Sequence, residues 1–369
     1  MRIALDCRTV TAPKTGDRTY ALNLLRALAQ VDTENEYLYY TWEPTTLTEV
    51  GSPRVRSVLL PASPRWTWTP IAFPRDLSRQ HADLAHVQYL IPPIAPCPIV
   101  TTIHDVAFRR FPGLFPLKHR VLLNGLIPLA TQNSAAVITG SESTRRDLIE
   151  LFGVAPEKVV VTPYAADPIY QPMDRDAARR AVRSRLRVPS PYLLSVGVLQ
   201  PRKNLPRLVR AYNRIATQIP HRLVLVGKEG WAGEALQEAI AEAPPGREPI
   251  FTGYVADADL PALYAGADLF VYPSLYEGFG LPPLEAMACG TAVITSNTSS
   301  LPEVVGDAGV TVDPMDTAAL ATAIQALLGD EPRRRALEAA GLARARQFNW
   351  ERTARETVEV YRQVKGIYA

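Results

Sequence analysis

The chain has 369 residues, which is more than one ordinary domain and suits two α/β domains. Its hydrophobic fraction of 47% and its charged fraction of 21% are typical of a globular protein with an extensive core. The net charge of +3, from 40 basic and 37 acidic residues, excludes the strong positive field of a nucleic-acid-binding protein.

The cysteines and the first residues bear on the cellular compartment. Cys7, Cys97 and Cys289 are too few for a disulfide framework and lack the spacing of a metal site. Residues 1–6 predict a buried strand and not a signal peptide, and no run reaches the roughly 20 apolar residues that cross a bilayer. We therefore expect a cytoplasmic protein, and contact with the inner face of the cell membrane stays open.

Short apolar runs alternate with amphipathic helical stretches along the whole chain, a pattern that predicts βα units and parallel sheets. In the first half, the pattern predicts helices at residues 20–30 and 142–152, the second with Ser141 as its N-cap. The predicted strands of this half are residues 3–5, 84–87, 99–103, 136–138 and 159–161. Residues 44–74 carry no clear pattern.

A polar stretch with several prolines, residues 162–173, predicts an interdomain linker. Strands are then predicted at residues 192–196, 223–226, 250–252, 269–272 and 292–295. Helices are predicted at residues 205–218, 260–265, 283–288, 318–328, 332–347 and 350–364. The predicted domains are therefore residues 1–168 and 169–348, with residues 349–369 as a final helix.

The segment with the most chemical information follows the strand predicted at 269–272. It reads Glu277-Gly-Phe-Gly-Leu-Pro-Pro-Leu-Glu285, so that Gly278, Phe279, Gly280 and Leu281 lie between a loop glutamate and a helical one. The glycines allow close backbone approach to a ligand, and the free amides at a helix N-terminus favour an anion. We expect Glu277 to accept hydrogen bonds from the hexose of a nucleotide sugar and Glu285 from its ribose. For Glu285 alone, a stabilising interaction with the helix dipole is the simpler explanation, but the two glutamates together with the glycines and prolines between them favour a ligand site.

This segment, with Ala-Met-Ala-Cys-Gly-Thr after it and Ser296-Asn-Thr-Ser-Ser-Leu-Pro-Glu303 beyond, resembles the signature of glycosyltransferase family 4. The stretch from Glu277 to Glu303 is most like bacterial mannosyltransferases of polysaccharide assembly. The resemblance implies the GT-B fold, in which two Rossmann-like domains face each other and a C-terminal helix crosses back to the first. It also implies retention of anomeric configuration, a nucleotide-sugar donor, no further cofactor and no divalent metal.

A second block, Ser195-Val-Gly197-Val-Leu-Gln-Pro-Arg202-Lys203-Asn-Leu, follows the first strand of the second half. Two adjacent cations at a strand-to-helix turn suit a diphosphate whose charge grows as the sugar leaves. The alternative is a solvated basic turn. In similar enzymes a Lys and an Arg near this turn hold the donor phosphates. Val198 stands where some members carry an arginine, which leaves open whether Arg202 takes that role.

Two positions of the first half are candidates for the same reaction. His104 follows the strand predicted at 99–103, and the family carries a similar His-Asp or His-Glu pair there, so we expect His104 to contact the sugar or to position the acceptor. Asp105 is expected to orient the neighbouring loop. Gly16 resembles part of the family's glycine-containing loop near the donor phosphates. A structural histidine and an ordinary βα turn are the respective alternatives.

Two further segments are weaker candidates. Gly227 and Lys228, with Glu229-Gly-Trp231 after them, resemble residues that lie near the nucleotide base. Residues 109–120 mix cations with aromatic side chains, as in relatives where such loops shape the acceptor site or touch anionic lipid. A solvated loop before a core-packing helix explains residues 109–120 equally well.

These observations predict a retaining, metal-independent hexosyltransferase with Glu277, His104, Lys203 and Arg202 as catalytic residues. The predicted partners are a nucleoside diphosphate sugar, weakly favoured as GDP-mannose, and a carbohydrate or lipid-linked carbohydrate acceptor. An anionic membrane surface is a further candidate partner, whereas nucleic acid is not. A nucleotide-sugar epimerase and a non-catalytic nucleotide-sugar-binding subunit are the alternatives.

Overall fold

The computed structural model describes residues 1–12, 15–45, 51–228 and 233–368. The chain forms two compact units. The first consists of Met1–Tyr164 together with Asn349–Ala369, and the second is Ala165–Phe348. The division after Tyr164 falls inside the predicted linker, four residues before the boundary predicted at 168. Tyr164 packs in the first unit against Trp350, whereas Tyr170 packs in the second against Tyr264.

Strands form one sheet in each unit, and their residues are mostly buried because helices cover parallel sheets on both faces. The strands of the first unit are β1 Arg2–Asp6, β2 Glu36–Thr41, β3 Val55–Leu59, β4 Leu84–Gln88, β5 Ile99–Thr102, β6 Ala136–Thr139 and β7 Val159–Val161. Those of the second are β8 Tyr192–Val196, β9 Arg222–Val226, β10 Ile250–Gly253, β11 Leu269–Tyr272, β12 Val293–Ser296 and β13 Val310–Val312.

Helices connect the strands. Those from the N-terminus to the middle of the chain are α1 Gly16–Val31, α2 Phe73–Arg79, α3 Ala107–Arg110, α4 Leu117–Asn133, α5 Glu142–Phe152, α6 Arg175–Leu186 and α7 Leu205–Ile215. Those that follow are α8 Glu234–Ala241, α9 Leu260–Gly266, α10 Leu281–Ala288, α11 Leu301–Val305, α12 Thr317–Gly329, α13 Glu331–Ala345 and α14 Trp350–Tyr368. Short 3-10 or π turns occupy Arg8–Thr11, Arg65–Thr67, Trp68–Ala72, Pro112–Leu114, Pro156–Lys158, Pro201–Lys203 and Gly306–Ala308.

Within the described ranges, both sheets are parallel and doubly wound. The first unit has the strand order β3-β2-β1-β4-β5-β6-β7, and the second has β10-β9-β8-β11-β12-β13. In each sheet the first strand of the unit is an inner strand. The next two strands add to one side of it, and the remaining strands add to its other side. Such a reversal creates a crevice beyond the carboxyl ends of the two central strands, here β1 with β4 and β8 with β11. The predicted fold class is therefore confirmed.

The last helix belongs to the first unit. Tyr361 of α14 places its hydroxyl 2.6 Å from His86 Nδ1, and Thr353 donates to the Pro163 carbonyl at 2.5 Å. Both contacts are buried or partly buried, so α14 packs into the core of the first unit. The strands of this unit all come earlier in the chain and end with β7 at Val161. No helix in the described part of the chain is both long and apolar enough to cross a membrane.

Some elements were not predicted. β2 was missed because tyrosines at 37, 39 and 40 break the aliphatic pattern, although all three side chains are buried. β3 lies within residues 44–74 and is mostly exposed, so it lacks the apolar run that identifies a central strand. α1 begins at Gly16, before the predicted residue 20, because the Thr15 side chain accepts a hydrogen bond from the Arg18 amide and caps the helix. Ser141 caps α5 as predicted, with 3.1 Å to the Thr144 amide.

Candidate active site

In the second unit, the central strands β8 and β11 bring two predicted segments together. The pairing of Leu193 with Leu269 and of Leu194 with Phe270 places the carboxyl ends of both strands at one edge of the sheet. The turn Pro201–Lys203 follows β8, and residues 273–280 follow β11. These two segments therefore line the position where doubly wound sheets bind ligands.

Asn204 attaches the first segment to the second. Its backbone is left-handed, with φ of 58°, a conformation that asparagine tolerates better than most residues. Its side-chain amide donates to the carbonyls of Pro273 at 3.0 Å and Pro314 at 2.7 Å. Because Asn204 both ends the turn and begins α7, these bonds fix the two cations that precede it.

Arg202, Lys203 and Glu277 form one ion-pair cluster. Lys203 Nζ lies 2.6 Å from Glu277 Oε1, and Arg202 donates through its guanidinium to Glu277 Oε2 at 2.9 Å. Lys203 also donates to the hydroxyl of Tyr272, the last residue of β11. Lys203 is 8% exposed and Glu277 is 6% exposed. The structure thus joins three of the residues predicted to be catalytic.

Hydroxyl groups orient Glu277 further. Ser274 Oγ lies 2.6 Å from Glu277 Oε1, and Ser299 Oγ accepts from the Glu277 amide at 2.9 Å. Ser300 Oγ lies 2.9 Å from the Glu277 carbonyl. These three serines were not predicted as site residues. The sequence held a signal for two of them, because Ser299 and Ser300 lie in the segment 296–303 that extends the family resemblance.

The cluster determines the charge of Glu277. Burial acts to raise the pKa of the Glu277 carboxyl, but the charges of Arg202 and Lys203 and the hydrogen bonds from Lys203 and Ser274 outweigh it and lower the pKa to about 2. Glu277 is therefore ionised at neutral pH and is unsuited to be a general acid. Both cations pair with this carboxylate in the part of the chain that the structure describes.

Two predicted glycines lie in contact behind this cluster. Gly197 and Gly227 follow β8 and β9, with φ of 155° and 153°. A Cβ on Gly227 would lie 1.9 Å from the Gly197 carbonyl oxygen, so no larger residue fits there without rearrangement. Gly197, Lys203 and Tyr272 contribute to the wall of a small cavity. Lys228 is exposed and its carbonyl accepts from Leu199 at 3.1 Å, while Glu229, Gly230 and Trp231 lie outside the described residues.

The remaining predicted donor residues surround the start of α10. Gly278, Phe279 and Gly280 precede the helix, Leu281 is its first residue, and Gly280 has a φ of 116°. Phe279 is buried against Phe348, with ring centroids 5.8 Å apart. Glu285 is also buried, and its carboxylate accepts from the Tyr264 hydroxyl at 2.8 Å. Glu285 thus has a different partner from Glu277, and its ribose contact stays a prediction.

In the first unit, His104 is buried just beyond β5 and both of its ring nitrogens are engaged. Nδ1 lies 2.7 Å from the Tyr164 hydroxyl, and Nε2 lies 2.8 Å from Gln88 Oε1. The Gln88 amide nitrogen is directed towards the Asp6 carbonyl at 3.4 Å and Thr9 Oγ1 at 3.2 Å, which leaves Oε1 to accept from His104. This network assigns the proton to Nε2 and makes Nδ1 the acceptor.

The environment keeps His104 neutral. Burial lowers the pKa of its imidazole, and the nearby carboxylates of Asp17 and Asp105 oppose this only in part. Asp17 Oδ1 is 4.0 Å from Nε2, because α1 begins at Gly16 and directs its first turn towards β5. Asp105 accepts from the Ala107 amide at 3.0 Å and so orients the neighbouring loop. A neutral imidazole with Nε2 protonated offers a hydrogen-bond donor rather than an acid.

Gln88 and Tyr164 were missed as site residues. Gln88 follows the strand predicted at 84–87, and a polar residue in this position is a candidate for a site at the carboxyl end of the sheet. Tyr164 lies in the predicted linker, where the sequence pattern indicates no site. His104 and Gly16 belong to the first unit, whereas the other predicted site residues belong to the second. Within the residues that the structure describes, no group of three or more His, Cys, Asp or Glu side chains could hold a metal ion.

Comparison with known families matches both units. Residues 15–169 match the model described as Glycosyltransferase Family 4, and residues 178–344 match the model described as Glycosyl transferases group 1.

Two curated relatives and one solved structure illustrate the similarity. The O-antigen chain mannosyltransferase B of Escherichia coli is 36% identical over 265 residues, which cover 71% of this chain and 70% of the relative. The D-inositol 3-phosphate glycosyltransferase of Xylanimonas cellulosilytica is 30% identical in an alignment of 393 positions, gaps included. This alignment covers 95% of this chain and 93% of the relative. The HepE protein of Anabaena, solved with UDP and glucose, superposes with a TM-score of 0.76 at 20% identity and covers 98% of this chain and 100% of its own.

Proposed function

Because the chain belongs to glycosyltransferase family 4 and is a glycosyltransferase, we propose that it moves a hexose from a nucleoside diphosphate sugar to an acceptor hydroxyl with retention of anomeric configuration. The observation that carries the proposal is the cluster of Arg202, Lys203 and Glu277 at the carboxyl ends of β8 and β11. The donor's diphosphate would bind to Arg202 and Lys203, near the N-terminus of α10.

The charges of the cluster support this binding mode. Arg202 and Lys203 share the Glu277 carboxylate, so a diphosphate that binds there places its negative charge beside two adjacent cations. Each charge-assisted hydrogen bond to phosphate contributes about 1.5–3 kcal/mol. The contribution increases as the sugar leaves and negative charge develops on the diphosphate, which makes it catalytic as well as binding.

Glu277 then has a separate role. When phosphate oxygens take over part of the coordination of Arg202 and Lys203, the ionised Glu277 carboxylate becomes available to accept from hexose hydroxyls and to stabilise positive charge at the anomeric carbon. We propose front-face attack by the acceptor hydroxyl, with the donor phosphate taking its proton, so that no covalent intermediate and no metal are required. His104 positions the acceptor, or donates from Nε2 to the sugar where the sugar displaces Gln88 Oε1 as its acceptor.

The donor is proposed to be GDP-mannose. Support comes from two relatives: the mannosyltransferase above, and the serotype-specific mannosyltransferase WbdA of Escherichia coli, which is 34% identical over 233 residues that cover 29% of its length. The proposed acceptor is a carbohydrate or lipid-linked carbohydrate of polysaccharide or glycoconjugate synthesis. The proposed location is the cytoplasm, with peripheral contact to the inner face of the cell membrane.

Calorimetric titration tests the donor site. GDP, UDP and ADP and their sugars are titrated into the protein, and we expect the strongest binding from GDP-mannose. Lys203→Gln should weaken nucleotide binding about tenfold to 150-fold, the equivalent of about 1.5–3 kcal/mol. Arg210→Gln, which removes a cation paired with Glu242 on the surface, is the matched control and should leave binding unchanged. Absence of binding for every sugar nucleotide would overturn the proposal.

A further inference from the structure

The strands β1, β2 and β3 of the first unit end at one edge of the sheet, because they are neighbours and parallel. Arg8 follows β1, Trp42 follows β2 directly, and Arg65 lies in the segment after β3. Arg8 Cζ lies 3.7 Å from the ring centroid of the buried Trp68 and 5.3 Å from that of Trp42. Arg65 Cζ lies 4.7 Å from the Trp42 centroid. Contacts between guanidinium groups and indole rings therefore lead from the core to the surface.

The outer end of this series of contacts is exposed. Trp66, next to Arg65, is 73% exposed, although burial of an indole ring ordinarily stabilises a protein. Arg65 donates to Glu43 Oε1 at 2.5 Å, and both side chains are more than half exposed. Exposed apolar surface beside fixed polar groups is typical of a ligand-binding site. We call Trp42, Glu43, Arg65 and Trp66 the β2–β3 platform.

The charges of the β2–β3 platform are balanced. Glu43 pairs with Arg65, and the neighbouring Arg8 pairs with Asp6 at 2.6 Å between Nη2 and Oδ2. Such pairs present donors and acceptors side by side, which suits sugar hydroxyls because each hydroxyl can both donate and accept. The negative face of an indole ring also suits the C–H groups on one face of a pyranose. The platform therefore has the chemistry of a site for an uncharged sugar.

Hydrogen bonds connect the neighbourhood of the platform with His104. The Gln88 amide donates to Thr9 Oγ1 at 3.2 Å, next to Arg8, and Gln88 Oε1 accepts from His104 Nε2 at 2.8 Å. His104 follows β5, and the strand order between the two positions is β2-β1-β4-β5. Since neighbouring strands are about 4.8 Å apart, roughly 14 Å of sheet edge separate β2 from β5. This distance is longer than one pyranose ring and suits a chain of several sugars.

We propose that the β2–β3 platform binds a sugar of the acceptor glycan that lies several residues away from the hydroxyl to be glycosylated. Trp66 stacks on the C–H face of this sugar, and Arg65 and Glu43 bond its hydroxyls. The acceptor is then a chain of sugars rather than a monosaccharide. This inference rests on the proposed function, which gives His104 its role at the acceptor, and it adds the length of the acceptor and the surface that binds its far end.

Steady-state kinetics with acceptors of different length test the proposal on the full chain. Methyl α-mannoside is compared with linear α-linked mannotetraoses, with GDP-mannose as the donor, and we expect a lower KM for a tetraose. Trp66→Ala should raise the tetraose KM about fivefold to tenfold, while kcat and the KM for methyl α-mannoside stay within about twofold. Trp66→Phe should keep most of the preference for the tetraose, because it retains an aromatic face.

The matched control is Ile367→Ala, which removes a side chain of similar exposure, 76%, from α14. It should leave both KM values within about twofold of the original protein. Equal KM values for the two acceptor lengths, or an unchanged tetraose KM in Trp66→Ala, would overturn the proposal. So would an equal loss of kcat with both acceptors in Trp66→Ala, because Trp66 would then support the fold and not the far end of the glycan.

Saturation-transfer NMR without donor separates this inference from the proposed function. Transfer from the protein to a mannotetraose that Trp66→Ala abolishes retains the platform, even where calorimetry detects no GDP-mannose binding and so rejects the donor site. Calorimetric binding of GDP-mannose without any transfer to a mannotetraose rejects the platform alone.

Discussion

Lys203 and Glu277 form a buried ion pair with 2.6 Å between Nζ and Oε1, although 74 positions separate them in the chain. The pairing of β8 with β11 brings them together, because each lies in the segment that follows one of these strands. Both groups are removed from water, so charge interactions between them are strong. A ligand that takes the place of Glu277 beside Lys203 is therefore bound in a medium of low polarity. The ion pair is therefore a preformed electrostatic site.

We expect Glu277→Gln to lower turnover about 100-fold to 1,000-fold while nucleoside diphosphate binding persists or strengthens. Glutamine keeps the shape of the side chain but cannot stabilise positive charge, and it competes less with phosphate for Arg202 and Lys203. Steady-state rates with GDP-mannose and an acceptor, together with calorimetry, measure the two effects. Glu242→Gln, which alters an exposed ion pair with Arg210, is the control. Full turnover in Glu277→Gln would end the proposed role.

Gln88→Glu should raise the pKa of His104. The change places a carboxylate where Oε1 now lies 2.8 Å from Nε2, and an opposite charge at this distance moves a titration midpoint by about 1–3 pH units. Proton NMR of the imidazole across the pH range measures the midpoint. Gln80→Glu, next to Arg56 and remote from His104 in the hydrogen-bond network, should leave it unchanged. An unmoved His104 midpoint in Gln88→Glu would contradict the assigned contact.

The stability of the first unit should fall in acid because of His86. Burial, with a smaller effect of His104, lowers the pKa of His86 to about 3, while an unfolded chain has its histidines near 6.5. Between these values the unfolded state binds the extra proton, so the free energy of unfolding decreases by about 1.4 kcal/mol for each pH unit that the pH falls.

Chemical denaturation of the original protein and of His86→Gln, from pH 7 to pH 4, measures this effect. The variant is expected to be less stable at pH 7, since His86 bonds Tyr361 at 2.6 Å and Thr102 at 2.7 Å. The difference between the two proteins should shrink as the pH falls. A difference that is constant over this range would show that His86 does not titrate as described.

Gly227→Ala should destabilise the second unit by about 2–4 kcal/mol. Its Cβ would meet the Gly197 carbonyl oxygen at 1.9 Å, and this backbone cannot move without displacing the segment that carries Arg202 and Lys203. Gly329→Ala is the control, because nothing lies within 4 Å of the added carbon at the end of α12 and alanine favours a helix. Thermal unfolding compares the two variants, and equal melting temperatures would contradict the packing of Gly227 on Gly197.

Local sequence pattern was enough to predict the strands that carry the candidate site. β8 and β11 are apolar runs that end in glycine or proline, and the residues after them have the chemistry of an anion site. The pattern did not predict that Glu277 forms ion pairs with Arg202 and Lys203, because these contacts depend on which strands are neighbours. Gln88 and His86 were missed for the same reason: their partners, His104 and Tyr361, come from other elements.

The position of α14 has a consequence for synthesis on the ribosome. The second unit, Ala165–Phe348, is one continuous segment and can fold as soon as it emerges. The strands of the first unit are synthesised early, before α14 and its Tyr361. Until α14 is translated, His86 Nδ1 therefore lacks the Tyr361 hydroxyl as its hydrogen-bond partner. A released chain that is truncated after Phe348 should therefore be cleaved by protease in residues 1–164, while its second unit resists.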